Sequence, residues 1–310
     1  MYSLLHCCYG IRATFLIVLV IFALSRHTLY AQAGWQPSKN SQYIILAEQS
    51  KSRVAIAEVK TGSIVWEWQP ATQSDILPEH VKWFSNMSDA KPVKDRKYIL
   101  ACASGGGVAL IRIADKKTVW YAYAGGNTHS VELLPDGNVV SASSTGNFMR
   151  IFVYNEKDKP EQIQHKDLYL HDGHNLVWDK KRQFMYTVSG DQFKTYRYNH
   201  QKEHPGLIAV DSVTIPGKRA HDLYWSFDHR FLWSSTGAAI FKIHIPGNKV
   251  EKVEGKITGN IKSVSGGNAA YPVIVVRPKE SWWTDEVLDI NGKSIFKQEG
   301  LRIYKARWLL

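Results

Sequence analysis

The sequence predicts an all-β fold, a six-bladed β-propeller, from three observations. First, from Gln42 onward short runs rich in Val, Ile, Tyr, Trp and Phe alternate with Gly, Asn, Asp and Ser, without a convincing amphipathic helix. Second, a strand-start motif recurs at spacings of 47, 45, 47, 41 and 43 residues. Third, the C-terminus carries one strand beyond its last repeat. A four-stranded repeat of about 40 to 50 residues is typical of a propeller blade.

The first 33 residues are predicted to be a secretory signal that is not part of the fold. Residues 13–24 form an apolar run after Arg12, and Ala31-Gln32-Ala33 has the pattern of a cleavage site after Ala33. The run is shorter than the roughly 20 residues that a membrane span needs; an uncleaved anchor is the alternative. We therefore expect a periplasmic or secreted protein in which residues 34–310 form one propeller domain, with no membrane span after cleavage.

The N-terminal part of this domain supplies three predicted strands, Tyr43–Ala47, Arg53–Val59 and Ile64–Trp68. The final strand, Arg302–Leu309, is predicted to pair with them as the innermost strand of the same blade. Such closure removes the exposed edges that an open array of blades would leave.

Five complete four-stranded units lie between these ends. They begin at Lys82, His129, His174, His221 and Lys262. In the first unit the opening strand is predicted at Val81–Phe84, before a long polar insertion at Ser85–Arg96. Strands hidden in that insertion would give seven blades, which is the alternative to six.

The repeat also predicts a ring of side chains, because the first strand of each blade lines the central channel. In blade order the ring contains Lys305, Lys82, His129, His174, His221 and Lys262. Three histidines on consecutive blades form a plausible facial ligand set for a divalent metal, Mn, Zn or Ca, the one cofactor that the pattern suggests. No carboxylate occupies the predicted ring, so neighbouring positive charges should keep the histidines neutral. The alternative is that each histidine is structural and bonded to a backbone carbonyl.

Loops on the same mouth add candidate ligand-binding residues. They are Gln49, Arg219, Trp282, Trp283 and Arg302, which join Lys82, Lys262 and Lys305 in the predicted binding set. Cations, amides and stacking aromatics around a pit suit an anionic sugar or another small acid. The two tryptophans could equally pack on the flank of a blade.

Composition limits the partners. A net charge of +11 suggests an acidic partner, and predicted export favours a small anionic ligand or glycan over a nucleic acid. The predicted mature chain retains one cysteine, Cys102, within an apolar run, so it has no internal disulfide, and we expect a monomer. The sequence lacks the Gly-x-Ser-x-Gly, His-Glu-x-x-His and Cys-x-x-Cys motifs, and no catalytic residue is assigned.

Residues 129–138, His-Ser-Val-Glu-Leu-Leu-Pro-Asp-Gly-Asn, resemble an exported six-bladed propeller family of unknown function from Bacteroidetes. Residues 173–176 and 221–224 support this resemblance, which covers roughly residues 40–310. It implies a fold and export, without an activity. A looser resemblance is to propeller polysaccharide lyases such as oligogalacturonate lyase, in which histidines help to hold a metal near a uronate. That resemblance would give this part to His129, His174 and His221.

Three functional hypotheses follow. The first is a propeller that binds an anionic saccharide or similar acid at its axial mouth. The second is a metal-dependent lyase that uses the three histidines, with a lysine or tyrosine as the proton-transfer group. The third is a scaffold protein in which the axial mouth of the propeller has no role.

Overall fold

The computed structural model describes residues 34–310, which form six four-stranded antiparallel sheets arranged as the blades of a ring. The predicted six-bladed β-propeller is confirmed. Two short 3-10 helices, Pro70–Thr72 and Pro78–Phe84, lie between the first two blades.

The strands follow the chain in order, four to a blade. Blade 1 contains β1 (Tyr43–Glu48), β2 (Arg53–Glu58), β3 (Ser63–Trp68) and the last strand, β24 (Ile303–Trp308). Blade 2 contains β4 (Met87–Val93), β5 (Tyr98–Ala103), β6 (Gly107–Arg112) and β7 (Thr118–Tyr123). Blade 3 contains β8 (Thr128–Leu133), β9 (Val139–Ser143), β10 (Phe148–Phe152) and β11 (His165–Tyr169). Blade 4 contains β12 (Val177–Asp179), β13 (Phe184–Ser189), β14 (Gln192–Tyr198) and β15 (Leu207–Thr214). Blade 5 contains β16 (Asp222–Trp225), β17 (Phe231–Ser235), β18 (Ile240–His244) and β19 (Lys249–Lys252). Blade 6 contains β20 (Ser263–Ser265), β21 (Ile274–Val276), β22 (Glu286–Asp289) and β23 (Ser294–Lys297).

The ring closes where β24 pairs antiparallel with β1, as predicted. Ile44 lies opposite Trp308 and Leu46 opposite Ala306, and the sheet order β24-β1-β2-β3 makes β24 innermost. The indole Nε1 of Trp308 donates a hydrogen bond of 2.9 Å to the carbonyl of Pro272 in blade 6. One strand therefore connects the first and last blades.

The apolar core lies between neighbouring blades because alternate residues of a strand face opposite sides of its sheet. In β1, Ile45 packs in a cluster with Ile99 of blade 2, whereas Ile44 and Leu46 pack in a cluster with Ile274 of blade 6. All five are fully buried. The period of two in the sequence thus specifies which blade each residue contacts.

One predicted strand is wrong. Val81–Phe84 belongs to the 3-10 helix Pro78–Phe84, which Pro78 begins with a φ angle suited to a helix start. The innermost strand of blade 2 is β4, within the segment that was predicted to be an insertion. β4 looks polar because Asp89 and Lys91 face other polar groups at the axis. The number of blades stays at six.

Among residues 34–310, no helix has the length and apolar character needed to cross a membrane. The predicted secretory signal, residues 1–33, lies outside the described residues.

Candidate functional site

A β-bulge interrupts β4, β8 and β24 near the end of the channel where each strand begins. The residues that the strand pairing skips are Ser88, His129 and Tyr304. A bulge changes the direction of a side chain relative to the regular strand. Tyr304, and not Lys305, is therefore the counterpart of His129 in blade 1.

The three predicted histidines converge at this mouth. The ring centroids of His129 and His174 are 4.5 Å apart, and those of His174 and His221 are 5.1 Å apart. His129 is buried, and the other two are partly buried. Blades 3, 4 and 5 each contribute one imidazole to this set, which we call the histidine arc.

Hydrogen bonds hold two rings of the histidine arc. The hydroxyl of Tyr304 lies 2.8 Å from Nδ1 of His129, and the amide Oδ1 of Asn127 lies 3.0 Å from Nε2. The amide oxygen only accepts, so Nε2 carries the proton and Nδ1 accepts from Tyr304. Nδ1 of His174 lies 3.0 Å from the carbonyl of Asp172. For His174 this contact agrees with the alternative that the histidines are structural and bonded to backbone carbonyls.

Lys262 continues the arc in blade 6. Its Nζ lies 3.1 Å from Nε2 of His221, and the only role open to a protonated amine is donor. Nδ1 of His221 then carries the ring proton and is buried without a hydrogen-bond partner among the described residues. Burial, followed by Lys262 and His174, lowers the pKa of His221 to about 3.

The surroundings of His129 and His221 favour the uncharged form of these two imidazoles. Burial is the largest cause that lowers the pKa of His129 well below its usual value, and neighbouring positive groups such as His174 and Lys305 add to it. Burial also lowers the pKa of Lys262 to about 8, assisted by Lys305 and Arg219. Neighbouring positive charges thus lower these pKa values, as the sequence predicted, but desolvation by burial lowers them more.

Lys305 lies below the arc and not on the rim. It is 1% exposed, and its Nζ donates to the carbonyls of His129 and His174 at 3.1 and 3.2 Å. Nζ also lies 3.4 Å from Asp222 and 4.0 Å from Asp89. The bulge at Tyr304 accounts for this difference from the predicted ring, because it moves Lys305 one position further along the channel.

Carboxylates occupy the channel in the next layer, below the ring from which the sequence predicts them to be absent. Arg307 donates to both oxygens of Asp222, at 2.7 and 2.6 Å, and to Asp89 at 3.1 Å. Burial alone would raise the pKa of Asp89, but Lys305, Arg307 and Lys91 outweigh it and hold that pKa well below its usual value. Asp222 was missed because it follows the histidine position directly, and Asp89 because its strand was not recognised.

We call the buried ionic groups of the channel the axial ion network; they are Asp89, Lys91, Asp222, Lys305 and Arg307. Several blades contribute to it. Arg307 of blade 1 reaches blades 2 and 5, and its guanidinium carbon lies 4.1 Å from the ring centroid of Tyr224. Lys91 of blade 2 bonds to Glu132 of blade 3 at 3.0 Å and to the carbonyl of Leu176 at 2.6 Å. Arg307 and Asp89 are at most 1% exposed, so the network separates the two ends of the channel.

The predicted rim aromatics form a cluster over blades 1 and 6. Nε1 of Trp282 donates to Oε1 of Gln49 at 3.0 Å, and the indoles of Trp282 and Trp283 meet edge to face at 4.9 Å. The guanidinium of Arg302 lies 4.8 Å from the Trp283 ring centroid. Strand direction places these loops on the same face as the histidine arc. Trp282 remains 47% exposed, so it is available to a ligand.

Two further predicted residues take separate positions on this face. Lys82 is exposed on the 3-10 helix, and its backbone borders Gly105 in the β5–β6 loop, so it does not join the ring. Arg219 is exposed at the entry to blade 5, near enough to Lys262 to affect its titration.

The histidine arc does not present a ready metal-ligand set. Among residues 34–310, no group of three or more His, Cys, Asp or Glu side chains could hold a metal ion. Nδ1 of His129 accepts from Tyr304 and Nε2 of His221 accepts from Lys262, so both nitrogens already have donors. The predicted Mn, Zn or Ca site at the three histidines gains no support from this arrangement, and it stays a prediction.

The functional candidates that sequence reasoning missed are Tyr304 and four members of the axial ion network, Asp89, Lys91, Asp222 and Arg307. A usable signal was present in β24, where Lys305 and Arg307 stand two positions apart in an otherwise apolar strand. Charges at alternate positions of a buried strand need partners, so they indicate polar neighbours at the axis.

The fold and the axial cluster define a class: a closed six-bladed β-propeller with a polar, mostly filled channel. Within that class, the family model described as a family of unknown function (DUF6528) matches residues 12–310. The chain belongs to this family, as the resemblance in the sequence predicted. No curated protein matches the sequence.

Solved structures show the same fold at low sequence identity. A protein of unknown function from Bacteroides caccae superposes with a TM-score of 0.55 at 14% identity, covering 86% of this chain and 98% of that one. The β-propeller domain of Cps50 (Swd1) from Myceliophteria thermophila gives a TM-score of 0.56 at 11% identity, with 86% and 88% covered. At these identities the similarity concerns the fold alone.

Proposed function

We propose that the axial mouth binds a small anion, and that a saccharide acid such as a uronate is the class that fits it best. The observation that carries this proposal is the charge state of the mouth. The deep groups of the axial ion network are paired, whereas the amine of Lys262 contacts the imidazole of His221.

The comparison with other buried lysines supports the proposal. Lys91 has Glu132 at 3.0 Å and Lys305 has Asp222 at 3.4 Å. Within residues 34–310, no carboxylate lies within 4.0 Å of the amine of Lys262. A buried cation without a counterion is costly, so a bound carboxylate would supply the missing charge and a charge-assisted hydrogen bond.

The rim supports a saccharide over a simple anion. Trp282 presents an exposed indole on the same face, and Gln49 and Arg302 lie beside the tryptophan pair. Sugars stack on indoles through their C–H faces and bond to amides and guanidinium groups, whereas an inorganic anion gains nothing from an indole.

A calorimetric titration tests this proposal with galacturonate, with galactose as the neutral ligand of matched shape. We expect galacturonate to bind and galactose to bind at least about tenfold more weakly. Lys262→Gln should weaken galacturonate binding by about tenfold or more, since it removes the unpaired cation. Lys82→Gln, which changes an exposed lysine of the same face, should bind as the wild type does. Equal binding of the two sugars, or unchanged binding by Lys262→Gln, contradicts the proposal.

We also infer that the protein acts outside the cytoplasm, so that its ligand is periplasmic or extracellular. The support is the apolar run and cleavage pattern of residues 1–33. Expression of the full chain in a Gram-negative host should yield an exported product whose first residue is Gly34, read by N-terminal sequencing. A product that retains residues 1–33 in the cytoplasm contradicts it. The metal-dependent lyase and the scaffold stay predictions, since no observation favours either.

A further inference from the structure

We propose that Lys262 forms an imine with the carbonyl carbon of its ligand, which makes the ligand class a small oxo acid, including the open-chain aldehyde form of a uronate. This proposal rests on the proposed function, because the anion site brings the carbonyl to the amine. It adds a covalent step that anion binding alone does not require.

The position of Lys262 suits a nucleophile. Lys262 is 9% exposed, whereas Lys91 and Lys305, deeper in the channel, are 2% and 1% exposed. Those two amines are fixed by carboxylates and backbone carbonyls. The amine of Lys262 has one polar contact among the described residues, the imidazole of His221, and lies 5.8 Å from the centroid of the Tyr304 ring.

The surroundings also favour the neutral amine that such a reaction needs. Desolvation, with Lys305 and Arg219, lowers the pKa of Lys262 to about 8. A lysine with an ordinary pKa of about 10.4 is almost entirely protonated at neutral pH, whereas this one has a substantial unprotonated fraction. Arg219, which is exposed at the entry to blade 5, would also attract the carboxylate of an oxo acid, so the surroundings of Lys262 serve both parts of the ligand.

The step balances without another reactant. The lone pair on Nζ forms a bond to the carbonyl carbon, and the electrons of the C=O π bond move to oxygen, which takes up a proton. Nζ loses one proton, which gives a carbinolamine. The lone pair on nitrogen then forms the C=N bond as the C–O bond breaks, and the hydroxyl takes the second proton of Nζ and leaves as water, so that amine and carbonyl give imine and water. Nε2 of His221, 3.1 Å from Nζ, accepts a hydrogen bond from the amine and thereby orients it for the attack.

Reductive trapping tests the proposal on the chain that begins at Gly34, with pyruvate and cyanoborohydride at pH 8, followed by peptide mapping. We expect one dominant adduct, on the peptide that contains Lys262, formed at least about tenfold faster than adducts on exposed lysines. Lys262→Arg keeps the charge but should lose the adduct, and Lys82→Arg should keep it. Because the map locates the adduct in the wild type, the result does not depend on how well a variant folds.

Two further arms separate this proposal from anion binding. Lactate has the carboxylate of pyruvate without its carbonyl, so its binding to the wild type and to Lys262→Arg reports the anion site alone. If lactate binds but pyruvate leaves no adduct on Lys262, the imine is refuted and the anion site stands. If propanal, a neutral aldehyde, labels Lys262 as fast as pyruvate does, the oxo-acid class is refuted. Labelling spread evenly over the lysines also overturns the proposal.

Discussion

Single residues at the axis determine how the polar side chains in the channel of this propeller are arranged. Tyr304 is an example: its hydroxyl is the donor to His129, and its backbone bulge moves Lys305 into the layer below. The sequence predicted the convergence of the histidines, because each one precedes an apolar strand at the same point of the repeat. It could not predict the bulge, since a one-residue change of register depends on partners across the strand pair.

Tyr304→Phe should destabilise the protein by about 1 kcal/mol, because it leaves Nδ1 of the buried His129 without a donor. Tyr169→Phe is the matched control, since Tyr169 is 74% exposed and should change the free energy of unfolding little. Urea denaturation monitored by tryptophan fluorescence measures both variants. Equal stability of the two variants would show that the hydrogen bond from Tyr304 to His129 does not stabilise the histidine arc.

Acid should destabilise the fold through the buried histidines. An unfolded histidine has a pKa near 6.5, whereas burial lowers the folded pKa of His221 to about 3 and that of His129 well below 6.5. Between these values the unfolded state binds protons that the folded state excludes. The free energy of unfolding should therefore fall as the pH decreases from about 7 to about 4.

His221→Gln should make this pH dependence shallower, because one of the titrating groups is gone. The groups that face His221 are Lys262, His174, Lys305 and Asp172, and all remain in the variant. His204→Gln, at an exposed position, is the control and should keep the wild-type slope. Urea unfolding at several pH values measures the slopes, and parallel curves for wild type and His221→Gln would refute the assignment.

At the scale of elements, strands with an apolar alternation were predictable and the one strand without it was not. β1 and β2 are apolar runs, and the structure ends each within one residue of its predicted bounds, Tyr43–Ala47 and Arg53–Val59. β4 contains Ser88, Asp89, Lys91 and Pro92, so its composition resembles a loop. Its strand character depends on pairing with β5 and on axial partners that are distant in sequence.

The closing strand should be sensitive to the loss of its large aromatic anchor. Trp308 is 1% exposed and connects β24 to Pro272 of blade 6. Trp308→Ala should cost about 3 to 5 kcal/mol, because it leaves a cavity between blades and an unpaired carbonyl. Trp282→Ala removes the same side chain from an exposed position, and should cost far less. Thermal unfolding followed by circular dichroism compares the two, and similar losses would contradict this role for β24.

At the scale of the whole molecule, closure by β24 protects the strand edge of β1 and an apolar face of blade 6. Without it, β1 would lose its inner partner and blade 6 would lose a packing neighbour. A chain of residues 34–302 should therefore associate through these exposed surfaces, whereas a chain of residues 34–310 should stay monomeric. Size-exclusion chromatography with light scattering gives the masses, and a monomeric, folded 34–302 chain would show that the ring does not need its last strand.

The axial ion network also prevents solutes from passing along the central channel from one face of the ring to the other. Arg307, Asp222 and Asp89 fill the middle of the channel, and each is at most 1% exposed. A molecule that reached Lys262 could not pass through to the far side, and it would leave by the same end of the channel through which it entered. The two faces of this disc are therefore independent surfaces: one can hold a solute while the other, beside Glu132 and Tyr224, contacts something else without competing for it.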